Sequence, residues 1–109
     1  MKVKLFQVAP EKDCHNLMFM NYEFTMAHGG IREDAYEVVF DGELEVKRLE
    51  DIFRIFNIAH PEGFRGRSMS VSDVVWAEGL GIFFCDSIGF KPVTFDQSKC
   101  PWRDFNEHT

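Results

Sequence analysis

Residues 70–86 read SVSDVVWAEGLGIFFCD, two runs of β-branched and aromatic residues joined by Gly-Leu-Gly. Such residues fit a pleated, half-buried surface, and the glycines allow the tight reversal between the runs, so the stretch predicts a β-hairpin. A hairpin alone is not stable in water, and the rest of the chain has to complete a sheet around it. FKPVTF (90–95) follows as a further strand. Pro92 has no N–H to donate to a ladder, which places that strand at an edge.

Elsewhere, strand patterns outnumber helical ones. VKLFQVA (3–9) sets Val3, Leu5 and Gln7 against Lys4, Phe6 and Val8 and predicts a strand ended by Pro10. HNLMFM (15–20) predicts a second strand, antiparallel to the first across the turn residues PEKD. In NYEFTMAHGG, Asn21 is a helix N-cap and Gly29 a left-handed stop, which gives a short helix from Tyr22 to His28. AYEVVF then leads into Asp41-Gly42, a favoured type I′ pair, so a hairpin is expected there, with Leu44 and Val46 in its second arm or in a loop. Leu49, Ile52, Phe53 and Phe56, spaced i, i+3, i+4 and i+7, draw one apolar stripe on a helix that Pro61 ends.

Strands with two inserted helices and no regular βαβ alternation predict an α+β fold: a small, mainly antiparallel sheet with two helices, ending in the hairpin plus an edge strand. A parallel, doubly wound sheet is the competing architecture. The length of 109 residues fits one domain, with a polar tail from about 97 to 109. Twelve phenylalanines point to an aromatic core.

Charge narrows the function classes. Eighteen acidic against twelve basic residues give a net charge of -6, and the basic residues occur only in short clusters such as Arg65/Arg67. Nucleic-acid binding is therefore not expected. No apolar run approaches the ~18 residues that span a bilayer and none follows a basic start, so a membrane partner and a secretion signal are not expected either, and the localisation expected is cytoplasmic. Cys14, Cys85 and Cys100 have no CxxC or regular spacing, and reduced thiols are expected, with no structural metal and no cofactor.

The segment LEDIFRIFNIAHPEGFRGRSMSVSDVV, followed by FFCDSIGFKPV, resembles the YodL-like domain found in conjugative and other mobile-element proteins of Gram-positive bacteria. The match runs from Leu49 to Phe95, with weaker echoes in FMNYEF and AYEVVF. The chain departs from the family's pattern at Phe84-Cys85-Asp86, where the family often has a tyrosine, and a hydroxyl is lost. The resemblance implies no reaction, cofactor or catalytic set.

The Ser/Asp segment is the one concentration of polar chemistry. A nucleophilic triad of Ser70 or Ser72 with His60 and Asp73 has no supporting motif, and no catalytic residue is assigned. An anion held by Arg65, Arg67 and Ser68 lacks a phosphate-loop signature. Ser and Asp side chains shape turns by bonding to nearby backbone, and that is the reading favoured for this segment. If Gly79-Leu80 is a two-residue turn, the ladder sets Asp73 opposite Asp86. Those carboxylates are then separate turn caps, a pair sharing a proton, or a weak divalent-cation site, with Ser72 and Ser87 as nearby donors.

Two function classes follow. The first is a non-catalytic protein-interaction or regulatory module of a mobile-element or host-regulation system, with a protein partner and with Trp76 and Trp102 as candidate anchors. Mimicry of DNA by an acidic surface is a special form of it. The second is a small-ligand or cation binder, or less readily an enzyme, using Asp73, Asp86, Ser70, Ser72, Arg65 and Arg67.

Overall fold

The first predicted strand is an interior strand of the sheet. In the computed structural model, which describes residues 1–103, β1 (Lys2–Val8) pairs antiparallel with β2 (Tyr36–Glu43) on one side and with β3 (Val74–Ala77) on the other. The sheet continues antiparallel through β4 (Gly81–Cys85) to β5 (Phe90–Pro92), in the order β2-β1-β3-β4-β5. Two helices, α1 (Tyr22–Ala27) and α2 (Leu49–Ile58), complete an α+β fold.

The alternation in β1 divides the interior in two. Val3 and Leu5 enter one core with Phe40, Ile52, Phe56, Met69 and Val75, which is the side α2 covers. Phe6 and Val8 enter the other with Tyr36, Val74, Phe84 and Phe95, flanked by Met18, Tyr22 and Ile31. Both faces of the sheet are therefore buried, which is why β3 and β4 carry apolar residues at nearly every position.

One irregularity shapes β2. Leu5 pairs with Phe40 and Phe6 with Val38, so Val39 is an extra residue in β2, a β-bulge. The bulge lets both Val39 and Phe40 join the core under α2. It also turns the Val39 carbonyl out of the ladder, where it accepts the Arg65 N–H at 2.8 Å.

Three expectations are corrected. Residues 15–20 form no strand: the Asp13 carboxylate accepts the N–H groups of Leu17 and Met18, and Asn16 and Phe19 have positive φ, so the segment coils over the sheet with Leu17 buried. Asp41-Gly42 is no turn, because β2 runs straight through it, with Gly42 opposite Val3. A Cβ at Gly42 would lie 2.9 Å from the Phe40 ring, so the glycine makes room for that ring rather than reversing the chain. The third concerns the hairpin register: Ala77 pairs with Gly81, leaving Glu78-Gly79-Leu80 as a three-residue turn closed by Leu80 N–H to Ala77 C=O.

The helices lie where the sequence places them, and the edge strand takes up Phe90–Pro92, the first half of the expected 90–95. Asn21 Oδ1 accepts the Phe24 N–H at 2.8 Å as N-cap of α1, and Gly29 takes φ +102° just beyond its end. Beyond the outer edge of β2, Trp102 makes an isolated parallel bridge with Val38. The predicted polar tail thus contacts the sheet at Trp102, and its residues 104–109 lie outside the described residues.

Candidate functional site

Gln7 is a polar residue at a core-facing position of an apolar strand, with 1% of its surface exposed. Burying an amide is costly unless its hydrogen bonds are met. Its Nε2 donates to the Arg67 carbonyl at 2.8 Å and to Asp73 Oδ2 at 2.9 Å, while its Oε1 accepts the Arg67 N–H at 3.1 Å. The side chain thereby pairs with the Arg67 backbone as a neighbouring strand would. Gly66 permits the approach, since a Cβ there would overlap Gln7 Oε1 and lie 2.9 Å from Val39 Cβ.

Asp73 completes this junction. Its Oδ2 also accepts the Ser70 N–H at 2.9 Å, and the residue is fully buried. Burial pushes its carboxyl up to about 7, against the opposing pull of the hydrogen bonds from Ser70 and Gln7 and of the Arg67 charge. Its Oδ1 and the Nε of Arg67 have no hydrogen-bond partner among the described residues. Arg67 Nη2 donates to the Val8 carbonyl at 3.1 Å, and the guanidinium lies 5.2 Å from the centre of the Phe19 ring.

Two of the three serines, Ser70 and Ser72, place their hydroxyls on backbone, and the third, Ser68, on the His60 ring. Ser70 Oγ donates to the Ser68 carbonyl, and Ser68 Oγ lies 3.3 Å from His60 Nε2. Ser72 has φ +85°, unusual for a residue with a side chain, and three bonds hold it there. Its Oγ accepts the Phe19 N–H, its N–H donates to the Cys85 carbonyl, and its carbonyl accepts the Tyr36 hydroxyl at 2.6 Å. Burial, with Asp73 nearby, raises the Tyr36 phenol above its ordinary range. His60 thus sits by Ser68 rather than by Ser70 or Ser72.

Asp86 belongs to a different turn. With Ala77 opposite Gly81, the ladder carried back places Cys85 against Asp73, and the Cys85 N–H donates to the Asp73 carbonyl at 2.8 Å. The expected Asp73/Asp86 pairing is therefore broken by one residue of turn. Asp86 Oδ1 instead accepts the N–H groups of Tyr22 and Ser87, tying the first residue of α1 to the end of β4. Between these carboxyls, burial and their charge push the Cys85 thiol up to about 12, making it a poor nucleophile. Among the described residues no group of three or more His, Cys, Asp or Glu side chains could hold a metal ion.

The remaining candidates separate further. Arg65 is exposed, donating from Nη1 to the Arg103 carbonyl at 3.1 Å and lying 4.9 Å from the Trp102 ring centre. With Arg67, Arg103, Gln7 and Glu37 it lines a cleft of about 270 Å³. Glu37, itself 7% exposed, takes up much of the positive charge there through Arg103 at 3.0 Å and Lys12 at 3.7 Å. Trp76 is half-buried against the second core beneath Lys4, whereas Trp102 is 46% exposed. Sequence reading passed over Ile88. It stands 88% exposed on the turn in which Asp86 N–H donates to Gly89 C=O and Gly89 takes φ +76°.

No curated protein and no solved structure matches the chain. The model of one family, described as the YodL-like domain, matches residues 2–95. That span takes in all five strands, both helices and the whole Gln7, Arg67 and Asp73 junction, and the chain belongs to the YodL-like domain family.

Proposed function

We propose that this domain is a non-catalytic protein-interaction module, acting inside the cell in the regulation of a mobile element or its host, and that it docks through the turn Asp86–Gly89. One observation carries the reading: Ile88 is a large apolar side chain held out in water by a turn that Asp86 closes, its N–H on the Gly89 carbonyl and its Oδ1 on the Ser87 N–H. On either side of that turn lies a groove, one bounded by Phe53 and Phe90 and the other by Tyr22 and Met26. Phe53 and Met26 are each more than a third exposed, so the apolar surface continues past the turn. An exposed isoleucine on a turn between two grooves suits a partner with a matching apolar cleft. The Ser/Asp segment supports the same reading, because its side chains are engaged in shaping the loop that carries β3.

The test is site-specific photo-crosslinking at position 88 in the native host, beside affinity capture with Ile88→Glu. A stoichiometric protein that crosslinks at 88 and is lost in Ile88→Glu, yet kept in Leu80→Glu at the opposite hairpin tip, is the expected result. Capture that survives Ile88→Glu removes the docking assignment. Absence of any stoichiometric partner removes the module reading.

A further inference from the structure

An edge strand offers unpaired N–H and C=O groups to any extended peptide, and proteins cover or blunt such edges. The two edges of this sheet are treated differently. At β5 the edge is three residues long and ends in Pro92. At β2 it is covered by the chain itself: Val38 N–H donates to the Pro101 carbonyl at 2.8 Å, and Arg103 N–H donates to the Val38 carbonyl at 3.0 Å. One residue, Val38, thus turns both backbone groups outward to a parallel segment.

That segment is read by side chains as well. Trp102 lies beside the Arg65 guanidinium, which also donates to the Arg103 carbonyl. Arg103 Nη1 reaches Glu37 Oε1 at 3.0 Å, with Glu11 at 3.8 Å. Backbone bonds for affinity and successive side-chain contacts for selectivity are the two components of peptide recognition by strand addition. These contacts lie at the surface: one bridge, an indole left half in water and an arginine side chain 38% exposed. If the segment leaves, Lys12 still faces Glu37 at 3.7 Å, so the buried carboxylate keeps a cation.

We infer that the outer edge of β2 is a strand-accepting site for an extended peptide that runs parallel to β2 and carries an aromatic residue followed by a basic one, and that Pro101–Arg103 fills it in cis as a displaceable latch. The occupant is defined by what the edge already holds: Val38 pairs its backbone, Arg65 covers its aromatic ring, and Glu37 takes its cation. This inference rests on the β2 edge alone and is independent of docking at Ile88.

The experiment uses the full chain, labelled for amide NMR, and its Trp102→Ala/Arg103→Ala variant, with a synthetic peptide SKSPWR (residues 98–103 with serine for Cys100) as probe. In the variant, exchange of the Val38 amide rises at least about tenfold while that of Leu5 in the interior strand β1 does not change, because only the latch opens. The peptide then restores Val38 protection in the variant and binds the unaltered chain at least about tenfold more weakly, since there the site is already filled. Peptides with alanine for the tryptophan, or glutamate for the arginine, do not restore it. Unchanged Val38 exchange in the variant, an opened edge that the peptide does not protect, or equal binding to both proteins would each overturn the inference. Should Leu5 exchange rise as well, the same measurements on Trp102→Ala alone, a change at a latch side chain that is 46% exposed and leaves Arg65 and Glu37 in place, decide the matter.

Discussion

Gln7 Nε2 and Asp73 Oδ2 meet at 2.9 Å across sixty-six positions of the chain, in a place that solvent does not reach. This contact fastens the Ser/Asp segment to the interior strand β1, and it places an ionisable group where ionisation is disfavoured.

Stability should therefore fall as pH rises through neutrality. The Asp73 carboxyl goes from an ordinary 3.8 to about 7 on folding, so between those values the folded chain holds a proton that the unfolded chain has released. The stabilisation is complete below about pH 4 and is lost as pH rises through about 7, a difference on the order of 4 kcal/mol. Asp73→Asn keeps an oxygen for the Ser70 and Gln7 donors and does not titrate. Urea unfolding at about pH 5 and pH 8 should show a clear loss in the unaltered chain and a much smaller one in the variant; equal losses would assign the slope to other groups.

Replacing Gln7 by leucine keeps the volume and removes three hydrogen bonds, two of them to the Arg67 backbone. Buried groups left without partners make this a costly change, about 2–4 kcal/mol by chemical denaturation. A loss under about 0.5 kcal/mol would mean that water enters the junction and replaces the amide.

Gly66→Ala should destabilise by about 1–3 kcal/mol, because its Cβ falls on Gln7 Oε1 and Val39. Gly63→Ala meets no atom within 4 Å and has only its positive φ to contend with, a cost of about 1 kcal/mol. Thermal melts of the two variants should therefore rank Gly66→Ala as the less stable.

Ser72 separates backbone strain from hydrogen bonding. Ser72→Ala keeps φ +85° and leaves the Phe19 N–H without its acceptor, a loss of about 1–2 kcal/mol. Ser72→Gly loses the same acceptor but relieves the left-handed strain and should lie within about 1 kcal/mol of the unaltered chain. If alanine is the more stable of the two, the strain argument at this position fails.

Ile88→Asn should change stability by no more than about 0.5 kcal/mol, since the side chain is 88% exposed. A larger loss would show that Ile88 serves packing, and would also undercut its role as a docking residue.

Features set by local periodicity were legible in the sequence. The spacing of Leu49, Ile52, Phe53 and Phe56 gave the helix, of which Ile52 and Phe56 are buried and Phe53 stays 37% exposed, and Asn21 caps a helix through its own third neighbour. Features set by distant partners were not. Residues 15–20 are as apolar as a strand, but β2 and β3 take both sides of β1, and Asp13 draws the segment into a coil. The hairpin was visible while its register was not, because Gly79-Leu80 permits a two-residue turn and Glu78-Gly79-Leu80 a three-residue one. That single residue separates Asp73 from Asp86. Gln7 carried a faint signal, a polar residue on a core face, but its partners at 67 and 73 are named only by the fold.

The strand order bears on how such a chain is made. Val3 leaves the ribosome before either of its partners, Gly42 and Ala77. At translation rates of roughly 5–20 residues per second, this interior strand waits on the order of several seconds for its second neighbour. Through that interval an apolar strand with both edges open depends on whatever else can shield it, so the nascent chain, rather than the finished domain, is where this fold is most exposed to aggregation and most in need of a chaperone.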